Sequence, residues 1–477
     1  DFKINNNHNS NNINKNIDII IKSSAIKNNN LEIMKALELN IPIFHRSELL
    51  SYLISLHQIK IGIMGTHGKG TITGAIGMSN QKNNFIVGGN VENYNSSFRF
   101  DQENNIIVAE IDESDGSFLN YQLDLILINN LSLDHMDYYQ NLDNLINKIA
   151  NYIQNSLTIN TIFINISDFG TMKLYLKLRK NGCKKIFTFG KTEVANFFYQ
   201  ITKLKDPTKP NSKSIFKVNH ESFVTNLLAE FNISNLTGAT SVLKYLDQSI
   251  NFESYYGIKN RCQVSYSFNN ICCTKIYAHH PLEFKLVSQT FIKKNMKTII
   301  IYEPFGTEIF MSNIFNLFTE CFDRTNQVIM KPYNLNSELY NTKTLFDKIK
   351  SNNKMIIEDN KQIYQYLISN YQSDTSFLFF GVPNKFKKTN VLDISDKLIR
   401  YFTLMNIKNI FIDSRKVTEK SLFVAIEGNK YDGNNFINQA INNGCTTILT
   451  NKNLNLPDKI NKIKSDNVLQ DLSYLSY

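Results

Sequence analysis

Apolar and polar positions along this chain switch repeatedly between a strand period and a helix period. Runs at 17–22, 42–44 and 59–64 read as strands, while 31–39 and 47–56 carry helical spacing. Further strands are expected at 106–109, 123–128, 161–165 and 185–189, with an amphipathic helix over 142–154. The alternation resumes with a strand at 297–302, a helix at 310–322, and strands at 327–330 and 376–380. Short strands near 409–412, 421–425 and 446–449 close the chain. Strands alternating with helices predict an α/β fold with parallel sheets. Four segments are expected: 1–58, 59–250, 251–388 and 389–477. The Asn-rich stretch 5–16 has too few apolar residues to build a core, and 206–213 reads as a surface loop.

The strand at 59–64 runs into Gly65-Thr66-His67-Gly68-Lys69-Gly70-Thr71 and then a helical sequence. Strand, glycine turn, lysine and helix together make a phosphate cradle: amides and the helix N-terminus face the anion, and the lysine adds a point charge. Two later strands end in chemistry of their own. One ends at Glu110, in the acid-rich stretch Glu110-Ile111-Asp112-Glu113-Ser114-Asp115; the other leads to Asn129-Asn130-Leu131-Ser132-Leu133-Asp134-His135. In a parallel sheet such strand ends line one crevice. Glu110 and His135 are therefore candidate magnesium ligands beside phosphates, and at least one of Asp112, Glu113 and Asp115 is expected to be a solvated turn residue.

Composition narrows the function classes. The chain has 477 residues, 42% of them hydrophobic, and a net charge of +10. No apolar run reaches the ~18 residues that cross a bilayer, so no membrane insertion is expected. No secretory signal pattern opens the sequence, and a cytoplasmic setting follows as the expectation. The lysines are dispersed, with no dense basic block, which argues against a nucleic-acid partner. Cys183, Cys262, Cys272, Cys273, Cys321 and Cys445 show no metal spacing and are expected as reduced thiols.

The stretches 65–73, 110–118 and 129–137 resemble the central ATPase domain of the Mur ligase family. Further elements fit the same family: Ser23-Ser24-Ala25-Ile26 and Arg46-Ser47-Glu48 before the loop, Phe231-Asn232-Ile233-Ser234-Asn235, Gly257 to Arg261, and Tyr277-Ala278-His279-His280-Pro281. This resemblance covers about residues 18 to 385. It implies a multidomain Mur ligase architecture: part of an N-terminal UDP-sugar domain, a central P-loop ATPase domain and a Rossmann-like C-terminal ligase domain. A small extra α/β domain follows, where Asp413-Ser414-Arg415 and Asp432-Gly433 resemble the first domain of the branch that adds diaminopimelate or lysine. The start is expected to be truncated, and fusion to, or association with, later ligases of the family is implied.

The activity implied is ATP-dependent joining of L-alanine to UDP-N-acetylmuramate through an acyl phosphate, with ATP and Mg2+ as cofactors. Gly65, Thr66, His67, Gly68, Lys69, Gly70 and Thr71 would bind the phosphates. Asn232 and Asn235 would meet the adenine side, and Thr71, Glu110 and His135 would hold magnesium. Lys69, Glu110, His135, Arg261, His279 and His280 form the implied catalytic set. Several positions depart from the family pattern: Gly70 lacks a hydroxyl, Ile276 replaces an aspartate, Phe305-Gly306 replace a His-Arg pair, and Gly381-Val382-Pro383 replaces Gly-Ala-Gly. These changes imply weak or absent turnover. They keep open a non-catalytic remnant that still binds nucleotide, beside a related ligase that attaches a recycled peptide to the same sugar.

Overall fold

The computed structural model describes the chain except residues 1–4, 6, 133–135, 184, 210, 269, 278–280, 293–295, 305–316, 319–320, 323–324, 333–341, 352, 382–389, 406, 408, 429–430, 453, 455, 458–459, 466 and 476–477. The chain divides into two compact units. The first comprises Asp1–Gly88, Ser97–Phe198 and Thr237–Ile250; the second comprises Gly89–Ser96, Tyr199–Leu236 and Asn251–Tyr477.

The first unit opens with a small β-α-β element. Strands β1 (Ile20–Lys22) and β2 (Ile43–His45) pair in parallel, with helix α1 (Leu31–Glu38) between them in sequence. Helix α2 (Arg46–Ser55) starts in a capping box: the His45 amide donates to the Glu48 carboxylate at 2.6 Å, and the Ser47 amide donates to His45 Nδ1 at 3.3 Å. The register partners Ile21 and Phe44 remain 37% and 41% exposed.

The main sheet of this unit follows from the longest buried apolar runs. Its central strand β3 (Ile59–Met64) leads into helix α3 (Lys69–Ser79), then β4 (Asn83–Val91), β5 (Ser96–Arg99) and β6 (Ile106–Glu110). On the other side of β3 lie β7 (Leu125–Ile128), β8 (Thr161–Asn165) and β9 (Ile186–Gly190). The order is β9-β8-β7-β3-β6-β4-β5, and every pair from β9 to β4 is parallel. The chain adds strands first to one side of β3 and then to the other. This reversal opens a crevice at the carboxyl end of β3, the usual ligand position in such sheets. Helix α4 (Leu142–Asn155) buries Leu145, Ile146, Ile149 and Ile153 on one face, the stripe expected from its spacing.

In the second unit, β10 (Phe197–Lys203), β11 (Ser214–Val218) and β12 (Glu221–Thr225) form an antiparallel meander. A six-stranded sheet follows in the order β13-β14-β18-β15-β16-β17, from β13 (Gln263–Phe268) and β14 (Ile271–Ile276) to β15 (Lys297–Tyr302), β16 (Gln327–Met330), β17 (Lys354–Ile356) and β18 (Thr375–Phe380). Only β13 is antiparallel. Phe284 stacks on Phe380 at 3.9 Å on one face of this sheet. On another, the helix Val391–Met405 buries Val391, Ile394, Leu398 and Phe402 against Phe377 and Phe379.

That helix corrects the expected boundary at residues 388 and 389. Its apolar stripe packs on the six-stranded sheet, so the segment that has a sheet of its own begins after Met405. There β19 (Asn409–Phe411), β20 (Ser421–Val424), β21 (Cys445–Thr450) and β22 (Asn461–Lys464) form a parallel four-stranded sheet of their own. The expected helix at 310–322 falls largely outside the described residues. All six cysteines are free thiols, and Cys272 and Cys273 are buried in β14.

Candidate active site

Three strand ends meet at the carboxyl edge of the main sheet. Register places Ile63 beside Glu110 and Met64 beside Ile128. The loop after β3 therefore lies between the segments that follow β6 and β7. Gly65 turns at φ +132, where a Cβ would lie 2.9 Å from the Asn130 carbonyl oxygen. Gly68 caps α3 in the left-handed region at φ 82. These are the two places where the loop requires glycine.

Asn129 and Asn130 brace this loop. The Thr66 amide donates to the Asn130 carbonyl at 3.0 Å, and the His67 amide donates to Asn130 Oδ1 at 2.7 Å. The amide groups of Asn129 and Asn130 each donate back to the His67 carbonyl at 2.9 Å. The Ser132 amide donates to Thr66 Oγ1 at 3.0 Å. Beyond the braced part, Lys69, Gly70 and Thr71 form the first turn of α3, ahead of its first helical bond from the Ile72 amide to the Gly68 carbonyl at 3.0 Å. First-turn amides have no partner inside a helix, so this end is suited to an anion.

Lys69 Nζ lies 2.9 and 3.1 Å from the two carboxylate oxygens of Glu113. Side-chain exposure is only 12% for Lys69 and 2% for Glu113. Burial works against the charged ammonium, but Glu113, Glu110 and Asp112 outweigh it and raise the Lys69 pKa. For Glu113, burial pushes the carboxyl pKa up and Lys69 opposes it.

The acid-rich stretch contains no free carboxylate. Asp112 pairs with Arg46 at 2.7 Å. Asp115 accepts from the Ser117 amide at 3.0 Å and from the Ser24 hydroxyl. Burial would raise the Asp115 pKa, but these hydrogen bonds overcome it and bring the value down to about 2. Asp112 and Asp115 keep partly exposed side chains at this turn, 35% and 23%, yet each acid also finds a cation or a donor distant in sequence. Lys69 is 44 residues from Glu113, and Arg46 is 66 from Asp112.

Glu110 ends β6 with Oε2 accepting from the Gly88 amide at 2.8 Å. A carboxylate at this edge suits magnesium, which needs few protein oxygens when phosphates and water complete its shell. Thr71 lies in the first turn of α3, and His135 lies outside the described residues. Among the described residues, no group of three His, Cys, Asp or Glu side chains forms a metal cluster.

The remaining sequence candidates belong to the second unit. Asn232 and Asn235 are buried in helix α5 (Glu230–Tyr245). Asn232 Nδ2 donates to the Leu228 carbonyl at 2.7 Å, and Asn235 Nδ2 donates to Asn232 Oδ1 at 3.2 Å. The Arg261 guanidinium lies over the Tyr277 ring, 4.7 Å from its centroid. Ile276 is 2% exposed at the end of β14. His279, His280, Phe305 and Gly306 lie outside the described residues. In the module after Met405, Arg415 pairs with Asp413 at 2.9 Å and is 79% exposed, while the Ser414 hydroxyl donates to Gln439 at 2.6 Å.

Sequence reasoning named the loop but missed its braces. Asn129 and Asn130 directly follow a buried strand at the loop's own edge, which was the available signal.

The main sheet and its loop lie within a stretch that matches a known family. The Mur ligase middle domain matches residues 63–243, and a second model, Mur ligase family, catalytic domain, matches 406–474. A UDP-N-acetylmuramate–L-alanine ligase of Clostridium botulinum is 27% identical over 391 residues, covering 78% of this chain and 84% of that relative. The same-named protein of Prochlorococcus marinus is 45% identical over 141 residues, 29% of each chain. Among solved structures, the UDP-N-acetylmuramate-alanine ligase of Thermotoga maritima superposes with a TM-score of 0.65 at 18% identity, covering 83% of this chain and 87% of the other. At that identity the likeness speaks for the fold. Among the described residues, no helix is long and apolar enough to cross a membrane.

Proposed function

Because this chain belongs to the Mur ligase family, we propose that it is an ATP-dependent amide ligase that joins L-alanine to UDP-N-acetylmuramate. In this reading a carboxylate oxygen of the sugar's lactyl group attacks the γ-phosphorus of ATP, and ADP leaves. The alanine amine then attacks the acyl carbon, phosphate departs, and the nitrogen loses a proton as the amide forms. Such chemistry asks the protein mainly to hold anions in line and to neutralise developing charge.

Lys69 and the first-turn amides of α3 would take the outer phosphates. Mg2+ would be held by Glu110 with Thr71 and His135, where it would screen phosphate charge. Asn232 and Asn235 would serve the adenine side, and Arg261, His279 and His280 the reacting groups. The observation that carries the reading is the phosphate loop, braced by Asn130, with Glu110 on the neighbouring strand end. The relatives named L-alanine ligases supply the substrates. The module after Met405 is read as the first domain of a diaminopimelate- or lysine-adding ligase, because of Asp413-Ser414-Arg415.

One observation favours a second reading, a remnant that binds nucleotide without ligation: Ile276 is buried where the family carries an aspartate. The two separate by mass spectrometry after incubation with ATP, magnesium, UDP-N-acetylmuramate and L-alanine. Appearance of the alanylated nucleotide sugar supports the ligase. ATP binding with no such product supports the remnant.

A further inference from the structure

We propose that Glu113 is an internal counter-ion that the phosphates of a nucleotide displace from Lys69. The inference rests on the nucleotide reading above and adds an occupant for the loop when no nucleotide is bound.

Glu113 contacts Lys69 through both carboxylate oxygens, at 2.9 and 3.1 Å. Two of the three ammonium donors are thereby engaged. An arriving phosphate at the first turn of α3 competes for those donors. Of the two partners, the carboxylate is the fixed one. The Tyr139 hydroxyl donates to the Glu113 carbonyl. On either side, Asp112 is tied to Arg46 and to the Ser114 amide, and Asp115 to Ser24 and the Ser117 amide. Lysine, on its flexible four-carbon stem, is the partner able to move.

Two electrostatic effects then share one sign. Before binding, the ion pair stabilises the nucleotide-free state. After binding, Glu113 sits as a like charge near the phosphates, beside Glu110 and Asp112, the other carboxylates that act on Lys69. Neutralising residue 113 removes both opposing effects, so nucleotide should bind more tightly. A residue that merely braced the loop would behave in the opposite way, since its loss would loosen the cradle.

The test is calorimetric titration of ATP into the full chain, as wild type, Glu113→Gln, Lys69→Ala and the double variant. Glu113→Gln is expected to bind ATP about ten-fold more tightly, equivalent to about 1.4 kcal/mol, while unfolding at a lower temperature without nucleotide. In the Lys69→Ala background the same change should tighten binding by a clearly smaller factor, because the ion pair is gone and only the like charge near the phosphates remains to be removed. Unchanged or weaker binding by Glu113→Gln overturns the proposal. Should that variant fail to fold, Glu113→Asp keeps the charge but withdraws it by one methylene, and tighter binding by a smaller factor is expected; unchanged affinity again overturns the proposal. A wild type that binds no ATP overturns the nucleotide reading itself, a separate outcome.

Discussion

Asn130 holds His67 by both ends of its side-chain amide: Oδ1 accepts from the His67 amide at 2.7 Å, and Nδ2 donates to the His67 carbonyl at 2.9 Å. One side chain at the end of β7 thereby sets the backbone of a loop that begins at the end of β3. Replacing it with alanine removes the bond from the His67 amide, while the His67 carbonyl keeps the Asn129 amide as a donor. Such a loss costs about 1–3 kcal/mol when the group is buried. Asn130→Ala should therefore lower the unfolding temperature and weaken ATP binding, read by thermal unfolding with and without nucleotide. Equal nucleotide-induced stabilisation in variant and wild type would show that the brace is dispensable.

Gly65 is the tightest point of the same loop. An added methyl group would meet the Asn130 carbonyl oxygen at 2.9 Å and the Asn130 nitrogen at 3.0 Å, at a φ of +132. Gly65→Ala should cost about 1–3 kcal/mol from the backbone conformation alone and displace the loop further through the clash. Gly182→Ala is the control: its φ is +86, but nothing lies within 4 Å of the added carbon. Chemical denaturation should rank Gly65→Ala as the more destabilised.

Much of this site was legible in the sequence because the strands that carry it are continuous apolar runs. The segments 59–64, 106–109 and 123–128 could hardly be anything but buried, and their ends delivered Lys69 and Glu110 to one edge. The antiparallel strands of 197–225 were not read, because strands with one wet face, such as Ser214–Val218 with Lys217 exposed, interleave polar residues and lose that signal. Which of the acids is buried was illegible for a different reason. Four acids in six residues look like a solvated turn, and nothing local announces that Lys69 and Arg46 neutralise two of them across the fold. The helix Val391–Met405 was assigned to the wrong side of a boundary, because its stripe shows that it packs without showing on which sheet.

Asp115 makes the first unit sensitive to acid. Its folded pKa, about 2, lies below the ordinary 3.8. Its contribution to stability is therefore complete above about pH 4 and lost as pH falls toward 2. Stability curves measured across that window should be steeper for the wild type than for Asp115→Asn. Parallel curves would mean that the bonds from Ser24 and Ser117 do not persist in solution.

The core of the six-stranded sheet is expected to be intolerant at Phe284, which stacks on Phe380 at 3.9 Å and packs edge-on to Tyr302 at 4.8 Å. Phe284→Ala should destabilise by about 3–5 kcal/mol, seen as a lower denaturation midpoint. A loss below about 1 kcal/mol would indicate that the surrounding aromatics collapse into the space.

The most direct test of an ATP-driven ligase built on Lys69 is phosphate release by the purified chain, compared with Lys69→Ala. ATP, magnesium, UDP-N-acetylmuramate and L-alanine are supplied together and then with each acceptor omitted. The expected result is release that requires both acceptors and vanishes in Lys69→Ala, at a modest rate given Ile276. Release at the same rate in both proteins, or release indifferent to the acceptors, would contradict it.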